Sequence, residues 1–155
     1  MKTGVLILDN IRSVENTASI FRTAECLGVS KIYLIGTTPA PLDRFQNKRA
    51  DFAKVALGAE ELVEWEYQKE ILPVIKELKD QNFKILALEQ HEDSKDLSSY
   101  RSADMFALIV GNEVEGVSSD ALKKCDQILE IQMQGKKESM NVSVSTGIAL
   151  FELLK

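Results

Sequence analysis

Apolar residues in this chain fall into short uninterrupted runs that alternate with stretches of helical spacing. Gly4 to Leu8 is apolar and ends at Asp9-Asn10, which reads as a short strand. From Asn16 to Leu27, Ala18, Phe21, Ala24 and Leu27 keep to one helical face, with Asn16 at the cap position and Gly28 as the stop. Lys31 to Ile35 is a second strand, and Thr37-Thr38-Pro39-Ala40-Pro41 must be loop. Arg44 to Leu57 reads either as loop or as loop running into helix, and Glu61 to Trp65 as a strand. Ile71, Ile75 and Leu78 mark a helix that admits Pro73 only in its first turn. Lys84 to Leu88 and Met105 to Val110 are runs of the fully buried strand type. Ser118 to Cys125 is a short helix with Ser118 as cap and Lys123-Lys124 in its last turn.

The final segment has the same grammar. Ile128 to Met133 reads as a buried strand, a polar loop with Gly135 follows, and a helix runs to the end. Val144, Ile148 and Phe151 recur at i, i+4 and i+7, with Ala149 and Leu153 beside them, so this face is expected to be buried. Ser139 and Asn141 fall where that helix begins. Each is either a plain N-cap or a functional group set among apolar neighbours. Strand and helix alternate throughout, which predicts an α/β fold with a mostly parallel sheet flanked by helices. In such folds ligands bind at the carboxyl ends of the strands.

Composition narrows the choices. A chain of 155 residues with 45% apolar and 28% charged residues is expected to form one domain spanning 1–155. Met1-Lys2-Thr3-Gly4 runs straight into the first strand, so no signal peptide and no appended domain are expected. No apolar run approaches the ~20 residues of a membrane helix. Cys26 and Cys125 are isolated, which points to reduced thiols in a cytoplasm. With His91 the single histidine, a metal site is not expected. The net charge of −5 argues against indiscriminate nucleic-acid binding but leaves room for a local basic patch.

Three strand ends carry candidate chemistry. After the first comes Asn10-Ile11-Arg12-Ser13-Val14-Glu15-Asn16, continuing to Arg22, whose helical neighbours include Ala18, Ser19, Glu25 and Cys26. That face either admits a close approach by a ligand or second backbone, or carries an exposed Arg22–Glu25 pair. After the second comes Val110-Gly111-Asn112-Glu113-Val114-Glu115-Gly116-Val117-Ser118. Its glycines are spaced like those of a phosphate loop, but Val117 stands where the lysine should be. No Gly-x-Gly-x-x-Gly is present either, so a dinucleotide fold of the usual kind is unsupported. The third is the segment from Ile128 to Met133.

Asn10-Ile11-Arg12-Ser13 with Glu15-Asn16, then Phe21-Arg22-Thr23-Ala24, the Val110 to Ser118 segment, and Ile131-x-Met133-x-Gly135-x-x-x-Ser139-Met140-Asn141-Val142-Ser143 together resemble the three motifs of SpoU-type (TrmH-like) RNA ribose 2′-O-methyltransferases. These belong to the SPOUT, or α/β-knot, superfamily. The resemblance spans essentially the whole chain. It implies a deep C-terminal trefoil knot, which general topology rules would count against. It also implies S-adenosyl-L-methionine as methyl donor, no metal, and a homodimer whose active sites are shared across the interface. Arg22, Asn16, Glu113, Ser139 and Asn141 match the family's polar catalytic set. Gly111, Ile131 and Met140 match its cofactor-binding positions, followed by Met133, Leu88 and Glu89. In that setting Arg22 supplies a permanent cation for a ribose 2′-hydroxyl or a neighbouring phosphate. Asn16, Ser139 and Asn141 would align ribose and guanidinium.

Two departures stand out, Met140 where leucine is commoner and Gln132 where proline is usual. Many members of the resembled family carry an N-terminal RNA-binding domain. No appended RNA-binding domain is expected here, so RNA recognition is expected from the segment holding Arg44, Lys48, Arg49 and Lys54, with Phe45 and Phe52 interleaved, and from Lys136 and Lys137. The other reading of that segment is a solvated basic helix with two core phenylalanines. The implied activity is methyl transfer to a ribose 2′-hydroxyl of tRNA or rRNA. A catalytically silent knot protein that binds RNA or cofactor is opposed by the intact polar set. A flavodoxin-like or receiver-type module is opposed by the lack of an acidic cluster beside Asp9.

Overall fold

A computed structural model describes residues 1–155. In chain order the strands are β1 (Thr3–Asp9), β2 (Lys31–Ile35), β3 (Glu64–Gln68), β4 (Lys84–Leu88), β5 (Lys95–Asp96), β6 (Met105–Gly111) and β7 (Gln127–Glu130). The helices are α1 (Val14–Cys26), α2 (Ala50–Ala56), α3 (Ile71–Asp80), α4 (Ser119–Lys124) and α5 (Val142–Leu153). All strand pairs are parallel, in the order β3-β2-β1-β6-β4-β7-β5. The mostly parallel sheet expected from the alternation is therefore present.

Alternation of side chains along each strand feeds two cores. Leu6 and Leu8 of β1 join Phe106 and Leu108 of β6 under α1, α2 and α5, where Phe21 meets Phe52 edge-on at 5.1 Å. Val5 and Ile7 point the other way, with Ala107 and Ile109, onto α3 and α4. Residues of a strand that are buried on both faces read as a continuous apolar run, which is why β1, β4 and β6 were visible in the sequence.

Several expected boundaries shift. α1 begins at Val14 and its cap is Ser13, whose Oγ accepts from the Asn16 N–H at 3.0 Å, so Asn16 is not the cap. β3 starts at Glu64 instead of Glu61, because a turn of 3-10 helix occupies Ala59–Glu61. β7 stops at Glu130 rather than Met133. Its neighbour β5 is only two residues long, and the chain leaves the sheet at Ile131. Ser118 occupies the cap position of α4 without capping it; its Oγ is buried with no partner, while its N–H donates to Asp9 Oδ2 at 2.8 Å. The segment from Arg44 resolves into loop followed by α2, and Phe52 belongs to the core.

The expected face of α5 holds at Ala149 and Leu153 and fails at its i, i+4, i+7 stripe. Thr146, Ala149, Leu150 and Leu153 pack inward, whereas Val144, Ile148 and Phe151 stand 54%, 39% and 59% exposed. The helix is apolar almost all round, so periodicity alone could not choose between its stripes.

Candidate active site

β1, β6 and β4 end side by side, with Asp9 opposite Gly111, and their exit loops build one cleft. The loop after Gly111 folds back over the strand end. A Cβ on Gly111 would lie 2.2 Å from both Gly116 C and Val117 N, so only glycine fits there. Asn112 closes that loop. Its N–H and C=O bond Gly116 at 3.1 and 2.9 Å, its Oδ1 accepts from Val114 and Glu115 N–H groups, and its Nδ2 donates to Asn10 O at 2.8 Å. Gly116 has φ +75, and the Glu89 carboxylate lies where its side chain would be. Glu89 Oε2 then accepts from Val117 N–H at 2.8 Å. Sequence reasoning missed Asn112, Asp9 and Asn10 as site builders. All three stand at strand ends, and Asn10 and Asn112 lie within the quoted motifs.

Glu113 projects from this loop to the start of α1. Its Oε2 accepts from Arg12 N–H and its Oε1 from Ser13 N–H, both at 3.2 Å, with Asn16 Nδ2 at 3.3 Å. Partial burial would push its carboxyl up, but these donors outweigh that and hold it below the usual glutamate range. Asn16 Oδ1 in turn accepts from Asn141 Nδ2 at 3.1 Å. The Asn141 amide orientation follows from its other end, where Oδ1 accepts from Ser143 N–H at 2.8 Å and caps α5. A continuous polar clasp therefore joins β6, α1 and α5 through Glu113, Asn16 and Asn141.

Asn16, Glu113, Ser139 and Asn141 all line a cleft of about 520 Å³, together with Gly111, Met140, Leu88 and Glu89. A smaller recess of about 140 Å³ opens from it, walled by Leu88, Ile131, Met133 and Met140 and by Gln90, Glu130 and Ser145. Residues 131–140 make no backbone–backbone hydrogen bond. Main-chain groups free of backbone partners, half-buried at Ile131, Met133 and Met140 and exposed between them, suit a flat heteroaromatic ligand held through main-chain groups. Gln90 Nε2 donates to Glu138 O, tying the exit of β4 to this segment. Gln90 and Ser145 were not foreseen. Ser145 lies four residues after Asn141 and so shares its helical face, a signal the sequence did contain.

Arg22 is not in this cleft. It is exposed on α1 and lines a separate groove of about 710 Å³ with Ser19, Cys26, Val144, Ile148 and Phe151. No ion pair joins it to Glu25. The basic segment is also less free than its sequence implied. Lys48 pairs with Glu61 at 2.5 Å and Arg49 with Asp51 at 2.9 Å, while Arg44 and Lys54 stay exposed and unpaired. No group of three or more His, Cys, Asp or Glu side chains is placed to hold a metal ion, and no helix is long and apolar enough to cross a membrane.

A sequence model of the SpoU rRNA methylase family matches residues 4–151. The 23S rRNA (guanosine-2′-O-)-methyltransferase of Neisseria meningitidis is 34% identical over 148 residues, 96% of this chain and 56% of that protein. The chain thus spans little more than half the length of such relatives. Among solved structures, a TrmH/SpoU tRNA modifying enzyme from A. aeolicus superposes with a TM-score of 0.85 at 27% identity, covering 99% of this chain and 75% of that one. An AdoMet-bound rRNA methyltransferase from Sinorhizobium meliloti superposes at 0.84 with 22% identity, over 97% of this chain and 55% of that one, a likeness of fold.

Proposed function

The chain belongs to the SpoU rRNA methylase family, and on that premise we propose that it methylates a ribose 2′-hydroxyl of tRNA or rRNA with S-adenosyl-L-methionine as donor. The observation that carries this reading is the polar clasp of Glu113, Asn16 and Asn141 set beside a recess whose apolar side is Leu88, Ile131, Met133 and Met140. The recess fits an adenosyl group, with the unpaired backbone of 131–140 for its ring edges and Gly111 admitting close approach. When bound, the donor would supply an electrophilic methyl carbon on a sulfonium: the 2′-oxygen would form the new carbon–oxygen bond as the carbon–sulfur bond breaks, the thioether would leave neutral, and the hydroxyl proton would pass to a substrate phosphate or water. Asn16 and Asn141 hold the ribose, and Ser139, on the wall shared by cleft and recess, orients it. Alignment of this kind is worth a large part of a displacement barrier. No metal enters the proposal.

Arg22 belongs to the same reading only through a second copy. The groove it lines carries the exposed Val144, Ile148 and Phe151, a stripe that a symmetric partner would cover, and on this reading each Arg22 then serves the partner's cleft. There a guanidinium steadies the 2′-oxygen or an adjacent phosphate. A C-terminal knot is part of the proposal. Placement of β7 between β4 and β5 and the Gln90 tie to Glu138 support it. A cytoplasmic site of action accords with the rRNA substrate of the relatives.

The deciding experiment is incubation with methyl-labelled S-adenosyl-L-methionine and total RNA, with and without chelator, followed by mapping of ribose methylation. Label at a ribose oxygen that survives chelation is the expected result. Binding of the donor without label transfer to any RNA would leave only a silent binding protein.

A further inference from the structure

The loop between β2 and α2 presents an aromatic ring to solvent on a rigid turn. Phe45 is 69% exposed at its tip. The turn beneath it is tightly bonded. Asp43 Oδ1 accepts from Phe45 N–H at 2.8 Å and Asn47 N–H at 3.0 Å, Asp43 and Asn47 bond again through the backbone, and Leu42 bridges Lys48. Such a ring is not left exposed by disorder of its support. The Arg44 guanidinium lies 4.7 Å from its centroid, over one face. None of the chain's ion pairs involves Arg44, whereas Lys48 and Arg49 are each neutralised by a carboxylate.

The base of this loop is anchored to the cleft. Thr38 is buried; its Oγ1 accepts from Ile11 N–H at 3.0 Å and lies 2.8 Å from Ile35 O. Thr37 N–H donates to Asn10 Oδ1, and Asn10 O receives Asn112 Nδ2. A bonded path therefore runs from the loop to the residue preceding Glu113.

We propose that Phe45 and Arg44 form a stacking platform for an unpaired nucleobase of the RNA substrate, a specificity element that rests on reading the chain as an RNA enzyme. The free ring face takes the base and Arg44 takes the adjoining phosphate or backs the ring. A base has a π-face whatever its identity, so the platform selects single-stranded over paired RNA rather than a sequence. A protein partner docking on an exposed phenylalanine is the competing occupant, but the unpaired arginine over the ring favours an anionic, aromatic ligand.

The test measures affinity of the full chain for oligoadenylate of roughly ten nucleotides, within the usual span of single-strand sites, and for a blunt RNA duplex of the same length. Phe45→Ala should weaken single-strand binding about tenfold, the scale of one lost base stack, and leave the duplex unaffected. Phe45→Trp should restore binding and Phe45→Leu should not. Arg44→Gln should lower the slope of log affinity against log salt by about 0.7, one phosphate contact. Thermal unfolding of each variant checks the fold. Parental affinity in Phe45→Leu would mean a merely apolar contact, as for a protein partner, and would overturn the platform. So would unchanged binding in Phe45→Ala. If that variant binds normally while the parent methylates RNA, the methyltransferase reading survives alone. Phe45-dependent binding by a protein that methylates no RNA would instead keep the platform and remove the methyltransferase reading.

Discussion

Asn141 Nδ2 donates to Asn16 Oδ1 at 3.1 Å and so fastens the start of α5 to the first turn of α1, 125 residues earlier in the chain. The same asparagine caps α5 through its other amide atom. One side chain therefore has a local duty and a long-range one, and substitutions can separate them.

Asn141→Ala removes both and should cost about 1 kcal/mol of stability, the usual scale of a lost N-cap. Asn141→Ser keeps a capping oxygen but has no amide to reach Asn16. It should unfold near the parental temperature and still lose methylation as fully as the alanine variant. Paired measurements of thermal midpoint and single-turnover rate decide this. Activity that simply tracks the midpoint would reduce the clasp to scaffolding.

Glu113 makes the clasp sensitive to acid. Its carboxyl is held below the usual glutamate range, so the folded state favours the ionised form. That contribution is fully present above the unfolded value of about 4.3 and is lost as pH falls through the depressed folded one. Between those two values the parental chain should lose stability more steeply than Glu113→Gln. Thermal midpoints of the two proteins taken across the acid range give the comparison, and parallel curves would contradict it.

How much of this was legible beforehand depends on where each signal resides. β1, β2, β4 and β6 were readable because strands covered on both faces must be apolar without interruption. β3 was misplaced because it is an edge strand with exposed Glu64, Tyr67 and Gln68, where burial imposes little pattern. α5 was found with Ala149 and Leu153 rightly inward, but its buried stripe was misjudged, since Val144, Ile148 and Phe151 are as apolar as the residues that face the core. Spacing marked Asn16 and Asn141 only as helix-cap candidates; their place in the site, like that of Gly111, came from motif likeness. Asp9 and Asn112 were passed over because a buried polar group is explained only by its tertiary partners, here Ser118 N–H and Asn10 O. Arg22 shows the same limit from the other side. Its motif placed it in the site, while its own chain places it in a groove elsewhere.

Gly111→Ala tests whether the cleft depends on close packing of its own loop. The new methyl would meet Gly116 C and Val117 N at 2.2 Å, and both are backbone atoms that cannot rotate away. Overpacking of this kind costs about 1–3 kcal/mol. The loop holding Glu113 should shift, and calorimetry should find donor affinity reduced by at least tenfold, about 1.4 kcal/mol. Undiminished affinity would place the donor away from Gly111.

Phe151→Asp tests the α5 stripe. In the single chain Phe151 is exposed, so an added charge has little to disturb in the fold. If a second copy covers the stripe, the carboxylate would be buried without a partner on both sides of the interface. Sedimentation should then show a folded monomer where the parent is a dimer, and methylation should disappear with the dimer. A Phe151→Asp chain that remains dimeric would move the interface elsewhere.

The last prediction concerns Arg22 and asks whose site it serves. Removing its guanidinium should leave folding and donor affinity near parental, because it is exposed and stands apart from the cleft. Turnover should fall by at least ~10², the scale of a lost electrostatic or proton-transfer group. Arg22→Lys should recover little, since an ammonium cannot bridge hydroxyl and phosphate as a planar fork does. Glu113→Ala, in the clasp, should be inactive for a different reason. Mixing Arg22→Ala with Glu113→Ala and allowing subunits to exchange then separates two geometries. If Arg22 acts in the partner's cleft, each mixed dimer holds one site with both groups intact, and about a quarter of parental turnover returns. If Arg22 acts in its own cleft, every site in every dimer lacks one group and the mixture stays silent. The second outcome would require Arg22 to swing from its groove into the cleft of its own chain, and would remove the reason for sharing a site between two copies.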